Sequence, residues 1–228
     1  MAEDGVRNLI LRQLPADERE QLLAGAEYVE LPDSHAFARA GDPISAAYFP
    51  ESGVISRISE MTTGHHMAIT AVGREGMIGA GVLVGMRQAP LSSVVLVRST
   101  GYLLPSETLQ RRFQASDTLQ RATLAHLGCL MRELATAAAC NRVHSHRQRL
   151  ARWLLVTTDK ARQPSLPVTH DALSQMVGGP RHAVTVALNE LRTKGAIAHL
   201  RGRIEILNRA VLMAQACECY AASTGEFT

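Results

Sequence analysis

The sequence predicts an α+β fold in three parts: an N-terminal antiparallel β-roll (jelly-roll-like), a long helix, and a C-terminal winged helix-turn-helix. Three observations carry this expectation. Short β-rich runs separated by turn residues fill 27–105, and turn residues then nearly vanish between Ser106 and about Ala139. Two short amphipathic helix patterns and a basic hairpin follow. The expected division is 1–106 for the roll, 107–141 for the long helix, 142–212 for the winged domain and 213–228 for a tail.

Residues 15–24, PADEREQLLA, read as a short helix with Pro15 at its start and acids in its first turn. EYVEL, AAYFP, GVISRIS, HMAITAV, SSVVLV and GYLLP are then the candidate strands. DS, GDP, ESG, TTG, GREG and APL punctuate them, which is the spacing of an all-β sandwich or roll. GVISRIS has no cleanly apolar face and is read as a strand on composition. In the long helix, Thr123, Leu127, Leu130, Leu134, Ala137 and Asn141 recur at alternating steps of four and three, a seam for a partner helix. Leu124, Met131 and Ala138 form a neighbouring stripe. One stripe suits the chain's own roll and the other a second copy, and Leu127, Leu130 and Leu134 are taken as the dimer seam. Residues 142–160 continue as a second helix with Leu150, Trp153, Leu154 and Thr157 on one side, and QPSLP (163–167) reads as a loop.

THDALSQMVGG opens with Thr169 as N-cap and Asp171 in the first turn, and Gly178 suits the positive φ that ends a helix. Pro180 fits the start of the next helix. There Ala183, Val184, Ala187, Leu188 and Leu191 must face a core, leaving Arg181, His182, Thr185, Val186 and Asn189 outward. Two short helices around a tight Gly turn form a helix-turn-helix whose second helix fits a major groove. Gly195 ends that helix, and IAHL and RIEIL pair around Arg201-Gly202 as a two-stranded wing carrying Arg201 and Arg203. The polar helix face suits base edges and the wing arginines suit phosphates.

Charge agrees with this placement. Residues 1–141 hold 12 Lys+Arg against 15 Asp+Glu, while 142–212 hold 12 against 4, a net of +8 inside a chain of net +3. A compact basic segment is the footprint of nucleic-acid binding.

Hydrophobic content of 46% and charged content of 20% are ordinary for a globular protein. MAEDGVRN lacks a basic stretch leading into an apolar core, and no apolar run approaches the ~20 residues that span a bilayer. The expectation is a cytoplasmic chain with no membrane partner. Cys129, Cys140, Cys217 and Cys219 are not spaced as a disulfide framework and are expected as free thiols. Cys217 and Cys219 flank one glutamate in ACECYA and could ligate a metal or sense oxidants. Zinc sites usually bring C-x₂₋₄-C and a second pair, so the preferred reading is small residues in a packing segment, with no metal.

On these residues the chain resembles the Crp/Fnr superfamily of bacterial transcription regulators. AGDPISAAYFPESGVISRIS is similar to the family's first β-roll turns and GREGMIGAGVLVG to its central loop region. TAAACNRVHSHRQRLARWLL is similar to its inter-domain helices, and LSQMVGGPRHAVTVALNELRTKGAI with RGRIEILNR to its winged helix-turn-helix. The resemblance implies a homodimer on a two-fold symmetric site in double-stranded DNA, with an effector domain, a dimerisation helix and a DNA-reading domain. RNA polymerase would join the partners of an activator.

The departures from better-known members shape further expectations. Cyclic-AMP-binding members carry a Gly-Glu pair and an Arg-Ser or Arg-Thr pair. Here Gly79 is followed by Ala80, and Ala89-Pro90-Leu91-Ser92 lacks the arginine, with Arg87 several residues early. Gly79, Ala80, Arg87 and Ser92 therefore outline an effector region from which cyclic AMP would lose its strongest charge-assisted contacts. The first cysteine is Cys129, so no iron–sulfur cluster of the family's N-terminal kind is expected. His35, His65, His66 and His126 are read as ordinary histidines and not as haem ligands. In the reading helix, Arg181 keeps a family position, whereas His182 and Val186 stand where many members have Glu and Arg. No catalytic residues are assigned, since Ser, His and Asp are scattered without a nucleophile elbow. The alternative function is a cyclic-nucleotide or small-ligand module whose basic domain docks on a protein.

Overall fold

The computed structural model describes residues 5–62, 66–200 and 202–223. His65, most of the TTG turn and Arg201 lie outside the described residues, as does the side chain of Asp171.

The chain begins with α1 (Leu9–Arg12) and α2 (Ala16–Leu23). The first helix is a short turn that periodicity could not have found. It exists because Asn8 caps it, accepting from the amides of Ile10 and Leu11 at 3.0 and 3.2 Å. The same fully buried amide donates to the carbonyls of Pro50 (3.0 Å) and Gly76 (2.8 Å), so one side chain fixes three segments. Glu51, also buried, accepts from the backbone amides of Arg7 and Asn8.

The roll follows: β1 (Glu27–Leu31), β2 (Ala36–Ala38), β3 (Ala46–Pro50), β4 (Val54–Glu60), β5 (His66–Val72), a 3₁₀ turn (Ala80–Val84), β6 (Ser92–Val97) and β7 (Ser99–Pro105). One sheet runs β1-β7-β3 and the other β2-β6-β4-β5. Every strand read from the sequence is present; β2 is an addition, three residues long and hence without a readable alternation. One core cluster joins Ile10, Leu11, Leu22, Phe49, Leu104, Leu109 and Leu119. A second joins Tyr48, Ile55, Val72, Ile78 and Val95. Burial pushes the Tyr48 phenol up to about 12, and its hydroxyl pairs with Ser99 at 2.9 Å.

The turn-free stretch after β7 is not one helix. It divides into α3 (Ser106–Ala115) and α4 (Asp117–Val143), broken at Ser116, whose backbone is extended. The Ser116 hydroxyl accepts from the Leu119 amide at 3.0 Å, so the break is an N-cap that starts a new helix.

The rest is α5 (His146–Ala161), β8 (Ser165–Leu166), α6 (His170–Val177), α7 (Arg181–Thr193), β9 (Ile197–Leu200), β10 (Arg203–Ile206), α8 (Arg209–Gln215) and α9 (Cys219–Ser223). QPSLP is therefore not a pure loop: its centre is β8, and the wing is a three-stranded sheet ordered β8-β10-β9. The flanking prolines limit β8 to two residues, and the Pro164 carbonyl accepts from the Ile206 amide at 2.8 Å. Contacts group the chain into two compact units, 1–57 with 72–130, and 58–71 with 131–228. No helix among the described residues is long and apolar enough to cross a membrane.

Candidate nucleic-acid interface

The second unit is built on α5. Ser145 and Gln148 form a capping box at its start, and Leu150, Ala151, Leu154 and Leu155 are buried along it. Trp153, placed with them by the sequence, is only half-buried. Against this helix pack α6, α7 and α8.

The helix-turn-helix forms as its residues require. Thr169 caps α6, accepting from the Ala172 amide at 3.2 Å, which makes it a structural cap first. Gly178 closes α6 with φ +66°, and its carbonyl accepts from Arg149 Nη2 at 2.6 Å. Gly179, at φ +143°, has its α-carbon so close to the His146 ring that a Cβ would lie 2.3 Å from Nε2. No larger residue fits that turn without moving the histidine. Pro180 is the N-cap of α7, one position before the helix itself. At the far end the Ala196 amide bonds to the Leu191 carbonyl (3.0 Å) and the Gly195 amide to that of Arg192 (2.9 Å), a Schellman closure.

On α7, Val184, Ala187, Leu188 and Leu191 are buried, while Arg181, His182, Thr185, Val186 and Asn189 are exposed. Val186 stands 54% exposed, an apolar residue held in water on an otherwise polar face. The Thr185 hydroxyl bonds the Arg181 carbonyl at 2.9 Å and pairs with His170 Nε2 at 3.1 Å. If its single proton serves the carbonyl, the histidine must donate, and Thr185 keeps one lone pair and its methyl for a ligand. Arg203 is exposed at the start of β10, where its Cα partner on β9 is Leu200.

The basic segment is less free than its composition suggests. Lys160 pairs with Glu133 at 2.9 Å and donates to the Ala71 carbonyl at 2.7 Å. Arg209 pairs with Asp159 at 2.7 Å, and Arg147 with Glu190 at 3.4 Å. Arg149 is spent on the carbonyls of Asn141 and Gly178. Burial, with Arg149 and His182 close by, holds His146 below the usual imidazole range. Among the described residues, the exposed cations of this segment include Arg181 at the start of α7, Arg192 and Lys194 at its end and Arg203 on the wing, together with Arg142, Arg162 and Arg209.

The proposed effector positions are spread over structural duties. Gly79 adopts φ +87°, and a Cβ there would lie 2.6 Å from the Ala46 carbonyl oxygen. Ala80 is buried at the head of the 3₁₀ turn, and the buried Ser92 hydroxyl accepts from the Ala40 amide at 2.9 Å. The Arg87 side chain is exposed, and its carbonyl accepts from the Ile44 amide at 3.0 Å. His126 is a buried core residue whose Nε2 accepts from the Met77 amide at 3.4 Å.

The two stripes of α4 differ in how far the single chain buries them. Thr123 and Ala137, on the expected partner seam, are buried in the single chain, and Leu127 packs on the first core cluster. Leu130 and Leu134 are half-buried. The open stripe is Leu124 (51% exposed), Gly128, Met131 (72% exposed), Ala135 and Ala138, again at steps of four and three. Periodicity alone could not rank two apolar stripes one position apart.

The fold completes a second cluster, of which only the Cys217 and Cys219 pair stood out in the sequence. Cys140, His144, Cys217 and Cys219 converge, with their ligand atoms all within 4.8 Å of one another. The signal was present as Cys140-x₃-His144, an i, i+4 pair on one helix face, but its partner pair lies more than 70 residues on.

Residues 148–215 match the family model of the Crp-like helix-turn-helix domain. The C-terminal part is a Crp-like helix-turn-helix domain. No curated protein matches the chain significantly. Among solved structures, the chain is similar to the c-di-GMP responsive global regulator CLP of Xanthomonas campestris, with 19% identity and a TM-score of 0.71, over 85% of this chain and 100% of that one. It is similar to a CRP-family transcriptional regulator of Thermus thermophilus (18% identity, TM-score 0.71, 82% of this chain and 96% of that one). It is also similar to FixK2 of Bradyrhizobium japonicum (15% identity, TM-score 0.70, 84% and 98%). The chain thus shares its fold with these solved structures, and residues 148–215 form its Crp-like helix-turn-helix domain.

Proposed function

We propose that this chain is a sequence-specific DNA-binding transcription regulator, acting as a homodimer on a two-fold symmetric operator. One observation carries the reading: every residue of α7 expected to face bases is exposed, while the opposite face is buried. Arg181 can grip guanine N7 and O6 bidentately, and Val186 offers apolar contact to a thymine methyl. His182, Thr185 and Asn189 fill the rest of the face, and Arg203 with its neighbour Arg201 holds phosphate. The open stripe of α4 takes a second copy, since a contiguous exposed apolar stripe is otherwise unfavourable in water. The effector region carries Ala80 in place of an acid and no arginine beside Ser92, which supports a regulator that does not respond to cyclic AMP.

Binding to mixed genomic DNA fragments across a salt series is the test. A regulator of this kind loses affinity steeply with salt and retains a sequence-selective fraction. Salt-insensitive or absent binding would instead favour the alternative, a ligand module whose basic domain docks on a protein.

A further inference from the structure

The side chains of Cys140 and His144 lie one turn apart where α4 ends, and the His144 amide still bonds the Cys140 carbonyl at 3.1 Å. Cys217 sits in the turn after α8, and Cys219 opens α9. All four belong to the second unit. The C-terminal segment is held against α5 by a network that does not involve sulfur. Tyr220 donates to Asp159 at 2.7 Å, and Arg209 bridges both, at 2.6 Å to the phenol and 2.7 Å to the carboxylate. The cysteines are thereby positioned by the fold, with no disulfide between them.

We propose that Cys140, His144, Cys217 and Cys219 form a Cys₃His binding site for a zinc ion. The spacing supports a tetrahedral ion. With Zn–S near 2.3 Å and Zn–N near 2.0 Å, the edges of such a tetrahedron are about 3.5–3.8 Å. Cys140 Sγ and Cys217 Sγ are 3.6 Å apart, and Cys219 Sγ and His144 Nδ1 are 3.7 Å apart. The two ends of the imidazole are also separated in the way a ligand histidine requires. Nδ1 faces the sulfurs, while Nε2 lies 3.1 Å from Glu218 Oε1, the carboxylate partner that orients such a ring and raises its basicity.

Burial fits as well. Cys140 and Cys217 are 1% and 4% exposed, whereas Cys219 and His144 are partly open, leaving a path for the ion. Binding moves three thiol protons to solvent and leaves a site charge of one negative unit, from three thiolates and a divalent cation. Arg152 lies within electrostatic reach of Cys140 and Cys219 and offsets it. Thiolate-rich, tetrahedral donor sets select zinc over calcium and magnesium, which need oxygen ligands. A disulfide between Cys140 and Cys217 would account for two of the four side chains and leave the orientation of His144 unexplained. The ion would tie the end of α4 to the C-terminal segment, and the proposal stands independently of what α7 reads.

The experiment uses the full chain, reduced, stripped with a chelator and titrated with cobalt(II) as a spectroscopic probe. The expected result is one equivalent bound, with the strong visible bands of tetrahedral cobalt and near-ultraviolet thiolate-to-cobalt charge transfer, both bleached by one equivalent of zinc. Native mass spectrometry of the zinc-loaded chain should show a single ion. Cys219→Ser, at a partly exposed position, should remove one thiolate's share of the charge-transfer band. Glu218→Gln, on an exposed side chain, should keep the spectrum and weaken affinity about 10–100-fold. Weak octahedral cobalt without charge transfer would overturn the proposal. So would a cobalt spectrum unchanged in Cys219→Ser, or a chain that forms a Cys140–Cys217 disulfide and takes no metal once reduced.

Discussion

The helices α4 and α7 each present an open face, and the two faces differ in kind. That of α7 is polar and cationic at its start, with Arg181, His182, Thr185 and Asn189 in water. That of α4 is apolar, with Leu124, Met131 and Ala138 exposed. A solvated polar face is stable as it stands and needs no cover, though its groups can meet a ligand. An apolar stripe is unfavourable in water, and its ready explanation is cover by another apolar surface. On the proposed function, the polar face of α7 suits DNA and the apolar face of α4 suits a second copy.

The largest expected effect comes from breaking the apolar face. Met131→Glu or Leu124→Glu should convert dimers to monomers in sedimentation and weaken operator binding about 10²–10⁴-fold, through loss of the second half-site. The half-buried pair gives the contrast, because Leu130→Glu or Leu134→Glu should also lower the stability of the single chain. If Met131→Glu stayed dimeric while Leu134→Glu dissociated cleanly without loss of stability, the stripes would return to the roles read from the sequence.

Next in size is the buried side of α7. Leu191 is fully buried, and Leu191→Ala should cost about 2–5 kcal/mol in denaturant unfolding. Val186→Ala on the open side should fall within about 0.5 kcal/mol. Comparable costs for the two would mean that α7 is not presented as described.

Within the polar face, Arg181→Ala should cost about 1–3 kcal/mol of operator binding and relax preference at one base pair in each half-site. Arg203→Ala should weaken operator and scrambled DNA alike, with a log-affinity against log-salt slope shallower by about one unit per phosphate lost in each subunit. Equal weakening on both DNAs by Arg181→Ala, with altered base preference in Arg203→Ala, would reverse these roles.

The smallest expected effect is none at all. Millimolar cyclic AMP should leave the melting temperature and DNA affinity unchanged, because Ala80 and Ser92 are committed to the roll and bring no charge. A ligand at 100 times its dissociation constant would stabilise the chain by about 2.7 kcal/mol, so a saturable thermal shift would be plainly visible.

Legibility in the sequence followed the range of the interaction. The strands of the roll, α5, the Gly turn and both faces of α7 rest on periods and caps that act within a few residues. The break at Ser116 is equally local, a Ser-Asp start signal inside a helical pattern, but the apolar rhythm continues across it and hides it. The shortest elements escaped for a different reason. α1 depends on Asn8 reaching Pro50 and Gly76, and β8 on pairing with β10 some 38 residues on (Leu166 with Ile204).

The sequence by itself determined the α+β architecture, the helix-turn-helix with its outward residues, and the basic C-terminal segment, because side-chain periodicity and capping are properties of a short stretch of backbone. Only the tertiary structure decided which stripe of α4 stays open, which cations remain available, and that four scattered residues form one Cys₃His cluster. Each of those depends on a partner far along the chain. Cys140 and Cys217 are 77 positions apart, and nothing in the local pattern of either announces the other. They meet because α5 and α8 pack together, and the Tyr220–Asp159–Arg209 network seats the segment between them.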